Sequence, residues 1–473
     1  MAYNSLLIER RKLLHERAGQ ALESMFAGQL EDHLDELAHH YDRAGNVGKG
    51  AEYLRRAGTR AAEQAAYSEA IEYLTRALKL LRQLPDNVDR ARHELELQMA
   101  LSASLHVARG AGAPDRERAL TRARELCEQL GNRTRLIEVL LGLSALLTSR
   151  GELSAAHKLA QRAIALAELA RELRMLGAAH AVMGLILFGW GQFTAAREHY
   201  ESSVELFGPG PIGTTGQVAL AGQTNETLLS YLLGILGYPE MALTGCHGAL
   251  DMARRRSDPY VVAIALTVLA GIRLELRDTV AVESLTEQLF SITSEHGIPI
   301  YRAFATFYRG WIMAADGETK EGIDQMRRVL SESGSLPIMR PNMIVAFAQV
   351  CGRSGLAEEG LTIVEESLTQ PQRNAQAELH RLKGELMLIK DPRSEDHAER
   401  SFREAIGIAS EQAARLYELR ATTSLARLLA TQGRRDEARK LLADIYHWFT
   451  EGFDTADLKD AKSLLEELGG TSE

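Results

Sequence analysis

The sequence predicts an all-α protein, built as a right-handed superhelical array of antiparallel helix pairs (an α-solenoid). Ala and Leu are the commonest apolar residues, whereas aromatic residues make up only 6% of the chain. Only 11 prolines occur in 473 residues, so long helices can persist. A pattern of small and large side chains returns at intervals of roughly forty residues, which is typical of helical repeat proteins.

The composition argues against several classes of protein. The net charge of -9 and the pI of about 5.9 give no basic footprint for nucleic acid or an anionic membrane. Three widely spaced cysteines form no CxxC pair, so neither a disulfide scaffold nor a zinc site is expected. No apolar run approaches the roughly 20 residues that span a bilayer, and the first residues do not resemble a signal peptide. We therefore predict a cytoplasmic protein without a cofactor.

Residues 1–30 are predicted to form a helical segment ahead of the repeats. Just after it, His33, Glu36 and His40 share one helix face, and with His39 they could hold a transition metal. Their spacing is not HExxH, and no distant Cys or His cluster completes a ligand shell. Packing and surface histidines are therefore the preferred interpretation.

The clearest repeat follows Gly184. Small and large side chains alternate there at fixed positions, which are Gly184, Gly191, Phe193, Ala196, Tyr200 and Ser203. This is the spacing of a tetratricopeptide (TPR) helix pair. The small residues let two helices approach closely, the large ones fill the gap between them, and Gly191 occupies the turn.

The same spacing recurs along the chain. Close copies begin at Gly58, Ser230, Gly310, Ala348 and Ala426, and looser copies begin near Gly142, Gly271 and Gly384. Each pair leaves an apolar side that only its neighbour can bury, so residues 31–445 are predicted to stack as one array. The stretch "FGPGPIGTTGQ" (207–217) interrupts it. That stretch lacks the Lys and Ser/Thr of a phosphate-binding P-loop, so we interpret it as a connector.

Residues 446–473 are predicted to form a capping helix and tail that cover the last exposed apolar face. Thr455 is a candidate N-cap, and Asp457 in the first turn would face the positive end of the helix. The predicted apolar stripe consists of Leu458, Ala461, Leu464 and Leu465. The bend before the helix would be filled by Trp448, Phe449 and Phe453.

A concave groove is the expected functional surface. In a TPR pair, the groove is lined by first-helix positions on either side of the leading small residue. These positions select Phe188, Tyr231, Phe307, Trp311, Asn342, Gln349, Arg381, Glu385, Arg420 and Arg427. Arg420 and Arg427 lie on one helical face and could hold a peptide carboxylate. Alternatively, Arg381 and Glu385 pair with each other, and the arginines only solvate the surface.

Several segments resemble one bacterial family of signalling proteins. They include "AYNSLLIERRKLLHERAGQALE" (2–23), "LAHHYDRAG" (37–45), "GTRAAEQAAYSEAIEYLTRALKLLRQLPD" (58–86), "ELHRLKGELML" (378–388) and "YHWFTEGFDTADLKDAKSLLEEL" (446–468). That family joins a class III adenylate/guanylate cyclase domain, a P-loop ATPase and a C-terminal TPR array. This chain contains neither the cyclase aspartates nor a Walker motif. The resemblance implies a non-catalytic sensing arm that receives a protein or peptide and acts on a cyclase/ATPase region in cis or in trans.

Two other functions are kept as alternatives. A free-standing adaptor would bind peptides in its groove without any associated ATPase. A sensor arm of an ATPase-type transcription regulator is disfavoured, because no basic recognition helix follows Leu465. The sequence leaves open whether the chain is a fragment, a split gene product or a complete protein.

Overall fold

The computed structural model describes residues 8–208, 216–332 and 339–469, and backbone only for residues 216 and 217. Within these ranges the chain is helical and contains no strand. A short 3-10 helix spans Leu30–His33. The α-helices are, in chain order, α1 (Ile8–Met25), α2 (Leu34–Ala44), α3 (Val47–Glu63), α4 (Tyr67–Leu81), α5 (Val88–Arg109), α6 (Pro114–Leu130), α7 (Arg133–Ser149), α8 (Leu153–Ala170), α9 (Leu173–Gly189), α10 (Phe193–Phe207), α11 (Gly216–Ile235), α12 (Pro239–Arg255), α13 (Pro259–Glu275), α14 (Thr279–Glu295), α15 (Pro299–Ala315), α16 (Thr319–Glu332), α17 (Arg340–Arg353), α18 (Ala357–Leu368), α19 (Gln376–Lys390), α20 (Glu395–Glu411), α21 (Arg415–Thr431), α22 (Arg435–Tyr446) and α23 (Ala456–Gly469).

The contacts divide the chain into two compact units. The first contains the described residues up to Leu146 together with residues 216 and 217, and the second contains the remaining residues from Leu147 onwards. The division therefore lies inside α7. Most of the predicted connector, residues 209–215, lies outside the described residues.

In the first unit, helices α2, α3, α4 and α5 enclose an apolar core. Leu37, Tyr41, Leu54 and Leu74 are its most deeply buried large side chains. A β-carbon placed on Gly58 would lie 2.8 Å from Leu74. The predicted contact between the leading small residue of a repeat and the large residue sixteen positions later is therefore formed.

The second unit repeats this contact several times. A β-carbon on Gly184 would lie 3.0 Å from the ring of Tyr200, and one on Gly310 would lie 2.9 Å from Met326. Short turns join the two helices of each pair, and a small residue faces a large one where the helices cross. These are the features predicted for TPR-like pairs. The fold class predicted from the sequence is confirmed.

The turns within the pairs also follow the pattern. Gly191 and Gly433 have φ angles of 71° and 77°, in the left-handed region that glycine occupies readily. Other turns use residues that carry a side chain. Within pairs, Ala65 and Arg277 both have a φ angle of 59°, and in a turn between two pairs Ala413 has one of 55°.

Helix α23 packs on α21 and α22. Its buried stripe consists of Leu458, Ala461, Leu464 and Leu468. Leu465, which the sequence analysis placed in this stripe, is only partly buried because one turn later Leu468 occupies the contact face.

Two details before α23 differ from expectation. Phe453 is 49% exposed, with its ring in a T-shaped arrangement with that of Tyr446, so it does not fill the bend. The hydroxyl of Thr455 donates a hydrogen bond to the carbonyl of Gly452, whereas an N-cap side chain accepts one from the helix.

Candidate functional site: the interior cluster of the second unit

In the second unit, the first helices of successive pairs lie beside one another, and the row that they form curls strongly. Helices α13, α15, α17, α19 and α21 contact each other in that order, and α21 in turn contacts the capping helix α23. The curl is tight enough for distant members to meet. Asn342 of α17 reaches Tyr231 of α11, and Arg420 of α21 reaches Glu275 of α13. Side chains that were predicted to line a groove therefore face each other.

Aromatic and amide side chains form one part of this interior. The rings of Phe188 and Tyr231 pack edge to face at 5.9 Å. Asn342 donates a hydrogen bond of 2.9 Å to the Tyr231 hydroxyl and accepts one of 2.8 Å from Asn374. Four residues from α9, α11, α17 and the segment before α19 are joined in this way.

Two further predicted groove residues are buried on α15. Phe307 and Trp311 expose 1% and 4% of their surface. The indole N–H of Trp311 has no hydrogen-bond partner among the described residues. A buried donor without a partner is unfavourable by about 1–3 kcal/mol, so this nitrogen is a position at which an acceptor from a ligand would be stabilised.

The charged part of the interior is called the interior cluster and consists of Glu275, Glu378, Arg381, Glu385, Arg420 and Asp457. Within it, Arg381 is buried and donates to Glu378 at 2.9 Å and to Glu385 at 2.7 Å. Glu385 also accepts a hydrogen bond from Ser424 at 2.7 Å. Although burial opposes ionisation, the nearby Arg381 charge and these hydrogen bonds lower the pKa of Glu385. The pairing of Arg381 with Glu385 is the alternative that the sequence analysis described.

Arg420 is the most connected member of the interior cluster. Its guanidinium donates to Asp457 at 2.9 Å, to the Glu275 carboxylate at 2.6 Å and to the Glu275 carbonyl at 2.7 Å. The Glu378 carboxylate lies 3.6 Å away. Only about 6% of the Arg420 side chain is exposed, so it does not solvate the surface, and it is closed to an external carboxylate while Asp457 remains bound to it.

The pKa values of the carboxylates in the interior cluster are shifted in different directions. Burial would raise the pKa of Asp457, but the charges of Arg420 and Arg277 outweigh burial and lower it. Burial raises the pKa of Glu275, and the attraction of Arg420 only partly offsets this. Glu275 therefore takes up a proton more readily than Asp457 or Glu385.

The remaining two predicted groove residues lie away from the cluster centre. Arg427 exposes 54% of its side chain, and its nearest acidic partner is Asp460 at 3.9 Å. Gln349 is partly buried, and its carbonyl accepts from Arg353 at 3.4 Å. Arg420 and Arg427 therefore do not form a matched pair of exposed arginines, because one is engaged inside the unit and the other is at its surface.

The segment from Trp448 to Asp460, which we call the C-terminal clasp, contacts the turn before α12, the start of α12 and the turn after α13. The Glu451 carboxylate accepts from the backbone N–H groups of Glu240 and Met241, at 2.8 and 3.2 Å, at the start of α12. The Gly452 N–H donates back to the Glu240 carboxylate at 2.9 Å. The charge of Glu451 also suits the positive end of the helix.

Further along the clasp, Arg277 binds Asp457 at 2.7 Å and Asp460 at 2.9 Å. Arg277 occupies a turn position at which many of the pairs have glycine. Its positive φ is unfavourable for a residue with a side chain. The two ion pairs formed by its guanidinium offset part of this cost.

Groups outside the interior cluster offer little reactivity. Burial raises the pKa of the Cys127 thiol to about 11 and those of Cys246 and Cys351 to about 12, so all three are protonated at neutral pH and weak nucleophiles. His40 faces His15, with their Nδ1 atoms 2.9 Å apart, whereas His33 pairs with Glu36. Across the described ranges, no group of three or more His, Cys, Asp or Glu side chains is arranged to hold a metal ion. None of the described helices is both long and apolar enough to cross a membrane.

Sequence reasoning missed half of the interior cluster. Glu378 could have been found, because it lies three residues before Arg381 on the same helix. Asp457 was noted only for its place in the first turn of α23. Glu275 gave no local signal, since its partner Arg420 is 145 residues away.

No protein-family model matches the sequence, and no curated protein matches it. Among solved structures, a Rap protein complexed with competence and sporulation factor is 14% identical, with 80% of this chain and 99% of that chain covered and a TM-score of 0.44. The Rap conjugation gene regulator of plasmid pLS20, in complex with the Phr* peptide, is 12% identical, with 90% and 96% covered and a TM-score of 0.44. The apo form of the quorum sensor NprR from B. thuringiensis is 11% identical, with 76% and 99% covered and a TM-score of 0.45. All three TM-scores are below 0.5, so the fold is assigned from the packing of this chain itself.

Proposed function

We propose that the chain is a non-catalytic regulatory module that binds a protein or peptide through the interior of its second unit, and that it is the sensing arm of a cyclase/ATPase signalling protein. The observation that carries the binding proposal is the interior cluster. Two buried carboxylates, Glu378 and Asp457, and the partly buried Glu275 surround Arg420, which is a costly arrangement, because desolvation offsets much of the attraction between ions removed from water. Such a cluster adds little net stability while it is complete but is destabilising when one partner is missing, so a carboxylate that leaves Arg420 has to be replaced by another one.

The proposed mechanism is an exchange of carboxylates. In the structure the carboxylate of Asp457, in the clasp, is bound to Arg420. The side chains of Tyr231, Asn342 and Trp311 lie on other first helices of the same unit. An acidic side chain of a partner segment would replace Asp457 on Arg420. A second polar group of that segment would accept a hydrogen bond from the Trp311 N–H. Displacing Asp457 would release α23, so the position of that helix would report the bound state.

The test uses the Asp457→Asn substitution, which removes the internal competitor's charge while keeping its shape. With the ATPase region that the family resemblance implies, supplied in cis or as a separate chain, we expect Asp457→Asn to change its ATP hydrolysis rate and to tighten complex formation. Asp454→Asn is the matched control, because Asp454 is an exposed acid in the same segment. Equal behaviour of the two variants would contradict the exchange mechanism.

The association with a cyclase/ATPase has a separate test. The DNA upstream of Met1 should read, in frame or as an adjacent gene, into Walker and cyclase motifs. If it does not, and the purified chain still captures a defined peptide, the free-standing adaptor is the better description. Nucleotide turnover by the purified chain alone would contradict the non-catalytic assignment.

A further inference from the structure

A groove on the first unit is separate from the interior cluster and has a different chemistry. Helices α4 and α6 both pack on α5, and the space between them encloses about 950 Å³. The α5 residues along its floor run from Arg90 to Arg109. At 1.5 Å per residue, this corresponds to a length of about 28 Å.

The middle of this groove is apolar. Ile71 and Leu78 of α4 and Leu101 and Leu105 of α5 line it. Ile71 and Leu101 are only partly buried, so apolar surface remains accessible between the two flanking helices. Covering it with an apolar partner would be favourable by about 25 cal/mol for each Å² removed from water.

The rim of the groove is basic, although the whole chain is acidic. Six cationic side chains line it, against Glu94 and Asp115 as the acidic ones. Four of the six have acidic partners. Arg109 and Arg118 share Asp115, while Arg90 pairs with Asp86 and Arg122 with Glu94.

The other two cations are Lys79 and Arg82. They lie about one turn apart at the C-terminal end of α4, are exposed, and have no ion-pair partner within the described ranges. Their charge stabilises the end of the helix to some extent. Within the described ranges, it is nevertheless the part of the rim's positive charge that no ion pair neutralises.

We propose that this groove binds an amphipathic helix of a partner protein, with its apolar stripe on the α5 floor and acidic side chains against Lys79 and Arg82. The length suits about five turns of helix, and a space between two helices receives a third by the usual side-chain interdigitation. A flat lipid surface fits less well, because the apolar residues lie in a recess between α4 and α6. This site is additional to the one under the proposed function and does not depend on it.

The probe is a fluorescein-labelled 18-residue helical peptide with a leucine stripe flanked by glutamates, titrated with the full chain and followed by anisotropy. We expect saturable binding that weakens as salt is raised. The double substitution K79Q/R82Q should weaken binding by about fivefold to tenfold, the effect of losing two exposed ion pairs. Ile71→Ser should also weaken binding but leave the salt dependence unchanged.

The control R10Q/R17Q removes the same charge from α1, away from the groove residues, and should change affinity less than about twofold. Circular dichroism verifies that each variant is folded. Equal binding of a peptide with lysine in place of glutamate, or an equal loss in the control, would overturn the proposal. Binding of phosphatidylglycerol vesicles that depends on Lys79 and Arg82, without binding of the peptide, would also overturn it and assign the groove to lipid.

Discussion

At the scale of single residues, the repeats depend on where a side chain is absent. A β-carbon on Gly384 would lie 2.5 Å from the ring of Phe402, closer than side-chain atoms can approach. Phe402 is 1% exposed, and close-packed interiors leave a ring little room to shift. The small lead position is therefore a steric requirement of the helix crossing, and helix propensity is secondary to it.

This requirement can be measured with two glycine-to-alanine substitutions. Gly384→Ala should lower the free energy of unfolding by roughly 1–3 kcal/mol, because overpacking outweighs the gain in helix propensity. Gly407→Ala, on the exposed face of α20 with no atom within 4 Å of the new β-carbon, should raise it by up to about 1 kcal/mol. Urea denaturation compares the two. Stabilisation by both substitutions would show that Phe402 relaxes freely.

The turn residues show how local sequence and distant contacts compete. Ala65 has a positive φ, and it stands at the position where Gly191 and Gly433 stand in their repeats. The repeat spacing predicted that turn correctly even though the residue is not glycine. At Arg277 the same backbone strain coincides with two ion pairs to the clasp, which explains why a long side chain is found there.

At the scale of elements, Arg420 joins α13, α21 and α23. Arg420→Met would leave the buried carboxylates of Asp457 and Glu378 and the partly buried one of Glu275 with less compensating charge. We expect it to lower the free energy of unfolding by about 3–5 kcal/mol. Arg427→Met on the same helix removes an exposed arginine and should cost less than about 1 kcal/mol. Chemical denaturation measures both, and a small effect at Arg420 would mean that water readily reaches the cluster.

The link between α21 and α23 should also depend on pH. Because Arg420 and Arg277 lower the pKa of Asp457, its stabilising charge is present above the ordinary aspartate pKa of about 3.9 and is lost as pH falls through the lower folded value. Asp457→Asn should therefore cost roughly 1.5–3 kcal/mol at pH 7. The difference from the unsubstituted chain should narrow below about pH 4. Urea denaturation measures this difference, and a difference that stays constant from pH 7 to below pH 4 would contradict the role given to the Asp457 charge. The control Asp454→Asn, at an exposed position, should have the same stability as the unsubstituted chain.

Elements were predictable from the sequence where the determinants are local. The helix pairs follow from small and large residues at fixed spacing, and the buried stripe of α23 follows from its helical period. The interior cluster depends on the curl of the second unit, which sums small rotations between many pairs. Local sequence patterns do not determine the total rotation, so the contact between Arg420 and Glu275 could not be predicted from them. Phe453 shows the same limit, since its apolar character gave no information about the path of the bend.

At the scale of the whole molecule, the chain has two separate sets of stabilising contacts. The first unit has its own apolar core around Tyr41, Leu54 and Leu74. The interior cluster and the clasp lie entirely in the second unit. In repeat arrays, stability is close to a sum over neighbouring pairs, so loss of one set of contacts need not remove another.

Hydrogen exchange tests this independence. Arg420→Met should lower the protection of amides in α13, α21 and α23, while amides of α2 to α5 keep theirs. Gly58→Val should do the opposite, because its β-carbon would lie 2.8 Å from Leu74 in the core of the first unit. If either substitution lowered protection equally in both units, the chain would unfold as one cooperative body. Changes at Arg420 would then alter the basic groove of the first unit as well as the interior cluster, and the two proposed sites would not be independent.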